Sequence, residues 1–223
     1  NIKVQNDIKE YDAAFENGDL ETLKRFEREA LKGQDGYAIG VKVEDSPWGD
    51  NTVLEAHIGP LGADEDIVKK EITVKPGFML SLQRHRGREE TWSVPKTYLN
   101  ENGEEIENGI LTLISDGERI EVQPGDSITL PKGNVHCMIN THNKPVRVIE
   151  TQKGTCREAD NVRLVDFNNR PTVPLLTWVE GKSAILYAKI HAEIKAKFGC
   201  EHEPNQAFTT PEYTTAINTL KAA

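Results

Sequence analysis

The sequence is short of cysteine, methionine and aromatic residues, lacks any long apolar run, and carries fewer basic than acidic groups. Each shortage excludes something. Three cysteines in 223 residues, Cys137, Cys156 and Cys200, are too few and too widely spaced for a disulfide framework, and none forms a Cys-x-x-Cys metal clip. A reducing compartment is therefore expected. No stretch approaches the roughly 18–20 apolar residues of a membrane span, so no membrane association is expected. With 27 Lys+Arg against 36 Asp+Glu, the formal charge is −9, which disfavours nucleic acid or an anionic membrane as partner, since both call for a basic surface. No charged-then-apolar leader opens the sequence, and the expected location is cytoplasmic. What is present, 37% hydrophobic and 28% charged residues, is the composition of a globular protein long enough to bury a substantial core.

Residues 5–32 pattern as helix. Gly18 interrupts the run, Asp19 is a good N-cap for the next segment, and Gly33 is a natural stop. Leu20, Leu23, Phe26 and Leu31 supply one apolar stripe. From about residue 39 to 165 the pattern changes to short β-rich runs separated by turns such as Pro76-Gly77, Asp116-Gly117 and Pro124-Gly125, as in an antiparallel sandwich or barrel. Beyond Pro171 and Pro174, residues 183–199 read as a helix ending at Gly199, and a weaker helix follows Pro211. There is no internal repeat and no linker rich in Pro, Gly or Ser. The expectation is one domain over 1–223, with a helical N-terminal extension (1–38), a β-barrel core (about 39–170) and a helical C-terminal extension (171–223).

Two segments concentrate metal-ligand residue types at turn-defined spacings. In the first, Gly77, Gln83, His85 and Glu90 follow one another closely. Residues i and i+2 of a strand share a face, so Gln83 and His85 converge on one interior point while Arg84 and Arg86 face away as solvated charge. A turn at Gly87 returns Glu90 towards the same point. The second segment runs from Gly125 through Pro131, Lys132 and Gly133 to His136 and Asn140, and its tight turn gives His136 a fixed launch angle. Asn140, Gly77, Gly125, Pro131 and Gly133 are expected to serve the fold through turns and a side-chain hydrogen bond. Gln83, His85, Glu90 and His136 together offer an amide oxygen, two imidazoles and a carboxylate. That set suits one divalent ion (Zn, Mn, Co, Ni or Fe) with positions left for water or substrate. The other histidines, His57, His142, His191 and His202, are expected at the surface, as is the run at 200–203.

The two segments resemble the two motifs of the cupin superfamily, small double-stranded β-helix (jelly-roll) barrels with a metal at the mouth. Residues 69–92, KKEITVKPGFMLSLQRHRGREETW, are similar to the signature of type II mannose-6-phosphate isomerases, in which Gln stands where other cupins have the first His. SPWG (46–49) upstream and VRVIETQKG (146–154) downstream, followed by Glu158, Arg163, Asp166 and Arg170, extend the resemblance over about residues 44–170. It departs from the family at Arg86, at Thr91 and in the acidic stretch 96–109, where the family makes a short turn. Residues 1–43 and 171–223 have no counterpart.

The resemblance implies a mainly β cupin barrel with added terminal helices. It implies a metal-dependent isomerase that interconverts mannose 6-phosphate and fructose 6-phosphate through an enediol, with a small-molecule sugar as partner and a homodimer as assembly. The stretch 96–109 is able to reshape the pocket for a different or unphosphorylated sugar of the lyxose or mannose type. A cupin oxygenase and a non-catalytic sugar-binding cupin are the remaining alternatives. The metal acts as Lewis acid, and the base is Glu90 or Glu150, the latter on the strand after His136. Phosphate needs a cationic clamp, and three of ten arginines, Arg84, Arg86 and Arg88, fall within five residues. Arg88 matches the family's arginine and is the first choice for catalysis and substrate binding, followed by Arg170 and then Lys132. Trp48 and Trp92 are expected in the core.

Overall fold

The structure, a computed structural model, describes residues 2–31, 39–40, 42–167, 170–199 and 218. Among them the alternating runs form β1 (Lys42–Ser46), β2 (Gly49–His57), β3 (Asp66–Val74), β4 (Phe78–Met79), β5 (Leu82–His85), β6 (Arg88–Ser93) and β7 (Thr97–Leu99). There follow β8 (Glu105–Glu107), β9 (Leu111–Ser115), β10 (Glu118–Val122), β11 (Ser127–Leu130), β12 (Val135–Asn140), β13 (Val146–Gly154) and β14 (Asn161–Val165). One sheet has the order β1-β2-β3-β13-β6-β11, and the second runs β10-β9-β12-β5-β14 with β4 added beside β12. All these pairings are antiparallel, as turn-linked short strands require. The fold is the mainly β double-stranded β-helix with terminal helices that the sequence implies.

The second sheet is covered on both faces, which explains why VHCMIN shows no polar alternation: all six residues of β12 are buried. Met138 joins Trp92, Leu111, Leu113 and Val148 in the core between the sheets. Cys137 and Ile139 point the other way and pack with Leu82, Ile114, Tyr187 and Ile190 under the C-terminal helix. Glycine is required at Gly133, where φ is +81° in the turn that launches β12. It is also required at Gly87 between β5 and β6, where a Cβ would lie 2.6 Å from Thr155 and 2.8 Å from Phe15.

Helix α1 (Ile2–Asn17) and α2 (Leu20–Leu31) break at Gly18, and Asp19 caps α2 by accepting from the Thr22 amide at 3.2 Å and its hydroxyl at 2.7 Å. The hairpin packs Tyr11, Phe15, Leu23 and Phe26 against Leu61 and Ala159. Helix α3 (Trp178–Phe198) begins five residues before the expected position. Thr177 and Glu180 form a capping box there, and Gly199 closes the other end in the left-handed region. Gly181 inside the first turn obscures this start in the sequence. The expected stop at Gly33, the helix after Pro211, Cys200, His202 and the run at 200–203 lie outside the described residues.

Three further expectations are corrected. His191 is buried and packs edge-to-face against Phe167, ring centroids 5.0 Å apart, because it falls on the inner stripe of α3. Arg84 faces away from the interior as expected but is not solvated: its side chain is 14% exposed and donates to Glu180 on α3 at 2.8 Å. Arg86 likewise pairs with Glu16 on α1. The stretch 96–109 is not a loop at the pocket but a hairpin of β7 and β8, held by Arg147 stacked on Tyr98. At its base Asn108 donates to the Pro95 and Arg147 carbonyls beside the start of β13, whereas Glu90 pairs with Gln152 towards the other end of that strand.

Candidate metal centre

The β5–β6 turn folds the first segment back so that Glu90 returns beside His85, while β12 pairs with β5 and sets His136 directly opposite Gln83. His85, Glu90 and His136 come together as a result, with ligand atoms all within 4.8 Å of one another. They are 1%, 1% and 2% exposed. His85 Nε2 lies 3.3 Å from Glu90 Oε1, and His136 Nε2 lies 3.4 Å from Glu90 Oε2.

Main-chain carbonyls orient both rings. Nδ1 of His85 bonds the Asp160 oxygen at 3.3 Å, and Nδ1 of His136 bonds the Asn134 oxygen at 3.0 Å. A ring that donates from Nδ1 presents a lone pair at Nε2, the form a metal ion takes. Burial pushes both imidazoles below their ordinary pKa, that of His136 to about 4, so both are neutral at pH 7. His136 Nε2 is buried and has no hydrogen-bond partner. A bare nitrogen lone pair facing a carboxylate is a poor arrangement without a cation between them, and the donor set therefore fits a divalent ion.

Gln83 lies on the same face as His136, and its Oε1 accepts from Ser81 Oγ at 3.0 Å, leaving a second lone pair. Glu150 is inside the barrel. It accepts from Trp92 Nε1 at 3.1 Å and from Gln152 Nε2 at 2.7 Å, with Lys70 Nζ at 3.8 Å. Trp92 Nε1 and Gln152 Nε2 also each donate to Glu90 at 3.1 Å, so one tryptophan and one glutamine bridge the two carboxylates. Burial first, and the Glu90 charge second, raise the Glu150 pKa above the ordinary carboxylate range. A carboxyl so placed holds and releases a proton near neutral pH.

The three residues expected to clamp phosphate are all engaged by the protein itself. Arg88 turns inwards, donating to Glu90 Oε1 at 3.1 Å and to His85 Nε2 at 3.0 Å. Arg170 pairs with Asp166 at 2.8 Å, and the charges of both act on Cys137, on the α3 side of the second sheet, away from the cluster. Lys132 pairs with Asp64 at the surface. Trp92 is core, as expected, but also serves the site through its indole N–H. Sequence reasoning missed four supporting residues. Gln152 was within reach of strand alternation from Glu150. Lys70 needed the β3–β13 register, in which it faces Glu150. Asn134 and Asp160 act through backbone carbonyls in turns, which no residue type announces.

Residues 33–166 match the family described as "Mannose-6-phosphate isomerase C-terminal". Among curated proteins, the alginate biosynthesis protein AlgA of Pseudomonas aeruginosa is 33% identical over 113 residues, covering 50% of this chain and 21% of that protein. The mannose-1-phosphate guanylyltransferase ManC of Salmonella typhimurium is 33% identical over 124 residues, 56% of this chain and 22% of that protein. The chain thus spans about a fifth of the length of the curated relatives it matches. Among solved structures, a cupin-superfamily sugar phosphate isomerase from Silicibacter pomeroyi aligns at 21% identity with a TM-score of 0.35, over 47% of this chain and 58% of that one. Since the family match takes in more than half of the chain, and the cluster of His85, Glu90 and His136 lies within it, the chain belongs to the mannose-6-phosphate isomerase C-terminal family.

Proposed function

We propose that the protein is a metal-dependent aldose–ketose isomerase that interconverts mannose 6-phosphate and fructose 6-phosphate. The observation that carries this reading is the buried His85–Glu90–His136 cluster set beside a second carboxylate, Glu150, with a raised pKa. Family membership supports the sugar chemistry. Gln83, His85, Glu90 and His136 are the residues that would hold one divalent ion, Zn, Mn, Co, Ni or Fe. When bound, that ion supplies the positive charge that stabilises the oxyanion developing next to the reacting carbons.

The chain's own residues do the rest. Glu150 takes the proton from the hydroxyl-bearing carbon alpha to the sugar carbonyl and returns it to the former carbonyl carbon, while the proton of the alpha hydroxyl passes to the former carbonyl oxygen by way of the enediol. Trp92 and Gln152 hold Glu150 and Glu90 in place. Arg88, buried between His85 and Glu90, fixes the Glu90 carboxylate and adds positive charge near the developing oxyanion.

One observation favours a second reading, isomerisation of an unphosphorylated sugar of the mannose or lyxose type. Arg88, Arg170 and Lys132 all answer carboxylates of the protein. A proton NMR time course of zinc-loaded protein in D2O with mannose 6-phosphate, and in parallel with mannose, separates the two. Formation of fructose 6-phosphate, or exchange of the C2 proton, that His136→Ala abolishes is the expected result. Turnover of mannose alone moves the assignment to the second reading, and silence with both sugars overturns isomerisation.

A further inference from the structure

Two buried acceptor atoms on residues touching Glu90 lack a hydrogen-bond partner, His136 Nε2 and Gln152 Oε1. A metal ion accounts for the first. It leaves the second unexplained.

Gln152 is 1% exposed and sits on β13 directly opposite Glu90 of β6. Its Nε2 donates to Glu150 Oε1 at 2.7 Å and to Glu90 Oε1 at 3.1 Å. With Glu150 ionised, the state in which it takes a proton, both partners are acceptors, so turning the amide over would set its carbonyl against two of them, and that state fixes the orientation. With the N–H groups held, Oε1 is left in the barrel interior as a lone acceptor beside the proposed proton carrier. A buried acceptor without a donor is costly, and the cost is relieved when a ligand brings the donor.

We propose that Gln152 is a substrate-binding and specificity-determining residue, whose Oε1 accepts a hydroxyl of a polyhydroxylated carbonyl substrate. This rests on the isomerase reading above. An aldose carries hydroxyl donors on C3 and C4, the carbons next along the chain from the reacting C1–C2 pair, and a hydroxyl donor is the group this acceptor lacks. A site that hydrogen-bonds a substrate hydroxyl rejects the analogue without it, because its own polar group is then left unpaired.

The test measures dissociation constants of mannose 6-phosphate and its 3-deoxy and 4-deoxy analogues by calorimetry, alongside NMR turnover, for zinc-loaded wild type and Gln152→Leu. Wild type is expected to bind the parent sugar about tenfold or more tightly than one deoxy analogue. The variant is expected to bind both equally, with zinc still at one per chain. Should Gln152→Leu fail to fold, Gln152→Asn, which keeps the amide but withdraws its oxygen, is expected to lose the same discrimination.

Discrimination retained in a folded, zinc-loaded variant overturns the role of Gln152, and isomerisation by the wild type then leaves the function standing. Loss of zinc from a folded variant also overturns it, because the oxygen is then a metal ligand. Wild type that neither binds nor converts mannose 6-phosphate or mannose overturns both the isomerase reading and the role of Gln152.

Discussion

His85 and His136 present Nε2 to the same point because a backbone carbonyl holds the opposite nitrogen of each ring, and for His85 that carbonyl belongs to Asp160. The side chain of Asp160 grips the same region, its carboxylate accepting from the amides of Arg86 at 2.9 Å and Gly87 at 3.0 Å in the β5–β6 turn. Asp160→Ala keeps the carbonyl that holds the ring but should release the β5–β6 turn, and through the turn loosen the placing of His85 against that carbonyl. Loss of an outer partner of this kind typically costs 10–100-fold in metal affinity, and each stranded amide about 1–3 kcal/mol of stability. A competition titration against a chromophoric chelator reads the first, and an affinity equal to that of wild type would remove Asp160 from the site. The return of Glu90 beside His85 was legible from the sequence because strand periodicity and a glycine turn are local rules. Asp160 was not, because its contribution depends on where a 3-10 turn 75 residues later comes to lie.

Whole elements show the same division between local and distant causes. Asp19 and Gly199 marked helix ends that the structure reproduces, since a cap is decided within one turn of chain. The hairpin of β7 and β8 was misread as part of the pocket because its placement follows from the direction of β6, which runs from Arg88 beside the cluster to Ser93 at the other end. The base of this hairpin is already closed by the Asn108 amide donating to the Lys96 carbonyl at 3.0 Å. Replacing residues 97–107 with a short glycine-containing turn should leave zinc stoichiometry and kcat/KM unchanged. A fall in kcat/KM with zinc still bound would restore the hairpin to substrate recognition. The arginines divide similarly: alternation correctly turned Arg84 and Arg86 outwards, but their partners Glu180 and Glu16 come from helices remote in sequence, so their burial was not legible.

Across the whole molecule, the shifted groups oppose one another in their effect on stability. His136 falls from 6.5 to about 4 on folding and His85 falls well below its usual value, so their stabilising contribution is present above pH 6.5 and is lost as pH drops through the folded value. Asp160, raised from 3.8 to about 6, and Glu150, also raised, act in reverse: their contribution is present below the unfolded value and is lost as pH rises through the folded one. Stability of the metal-free chain should therefore change little between pH 4 and 6.5. Zinc breaks this balance, because it binds the neutral imidazoles of the folded state and competes with protons for them. At free zinc near 100 times Kd the loaded protein should gain about 2.7 kcal/mol. For a chain of this size that is a rise in melting temperature of roughly 5–10 °C. The gap should be full from pH 7.5 down to about pH 5 and close as pH falls through about 4, where the folded rings take up protons. His136→Gln should show no gap at any pH. Its metal-free form should gain on metal-free wild type as pH falls from 6.5 to 4, because it no longer carries a ring that folding keeps from protonating. Thermal melts with zinc and with chelator from pH 7.5 to below about 4 decide the matter: a gap that already closes near pH 6.5, as at ordinary histidines, or survives in His136→Gln, would place the metal on residues other than this cluster.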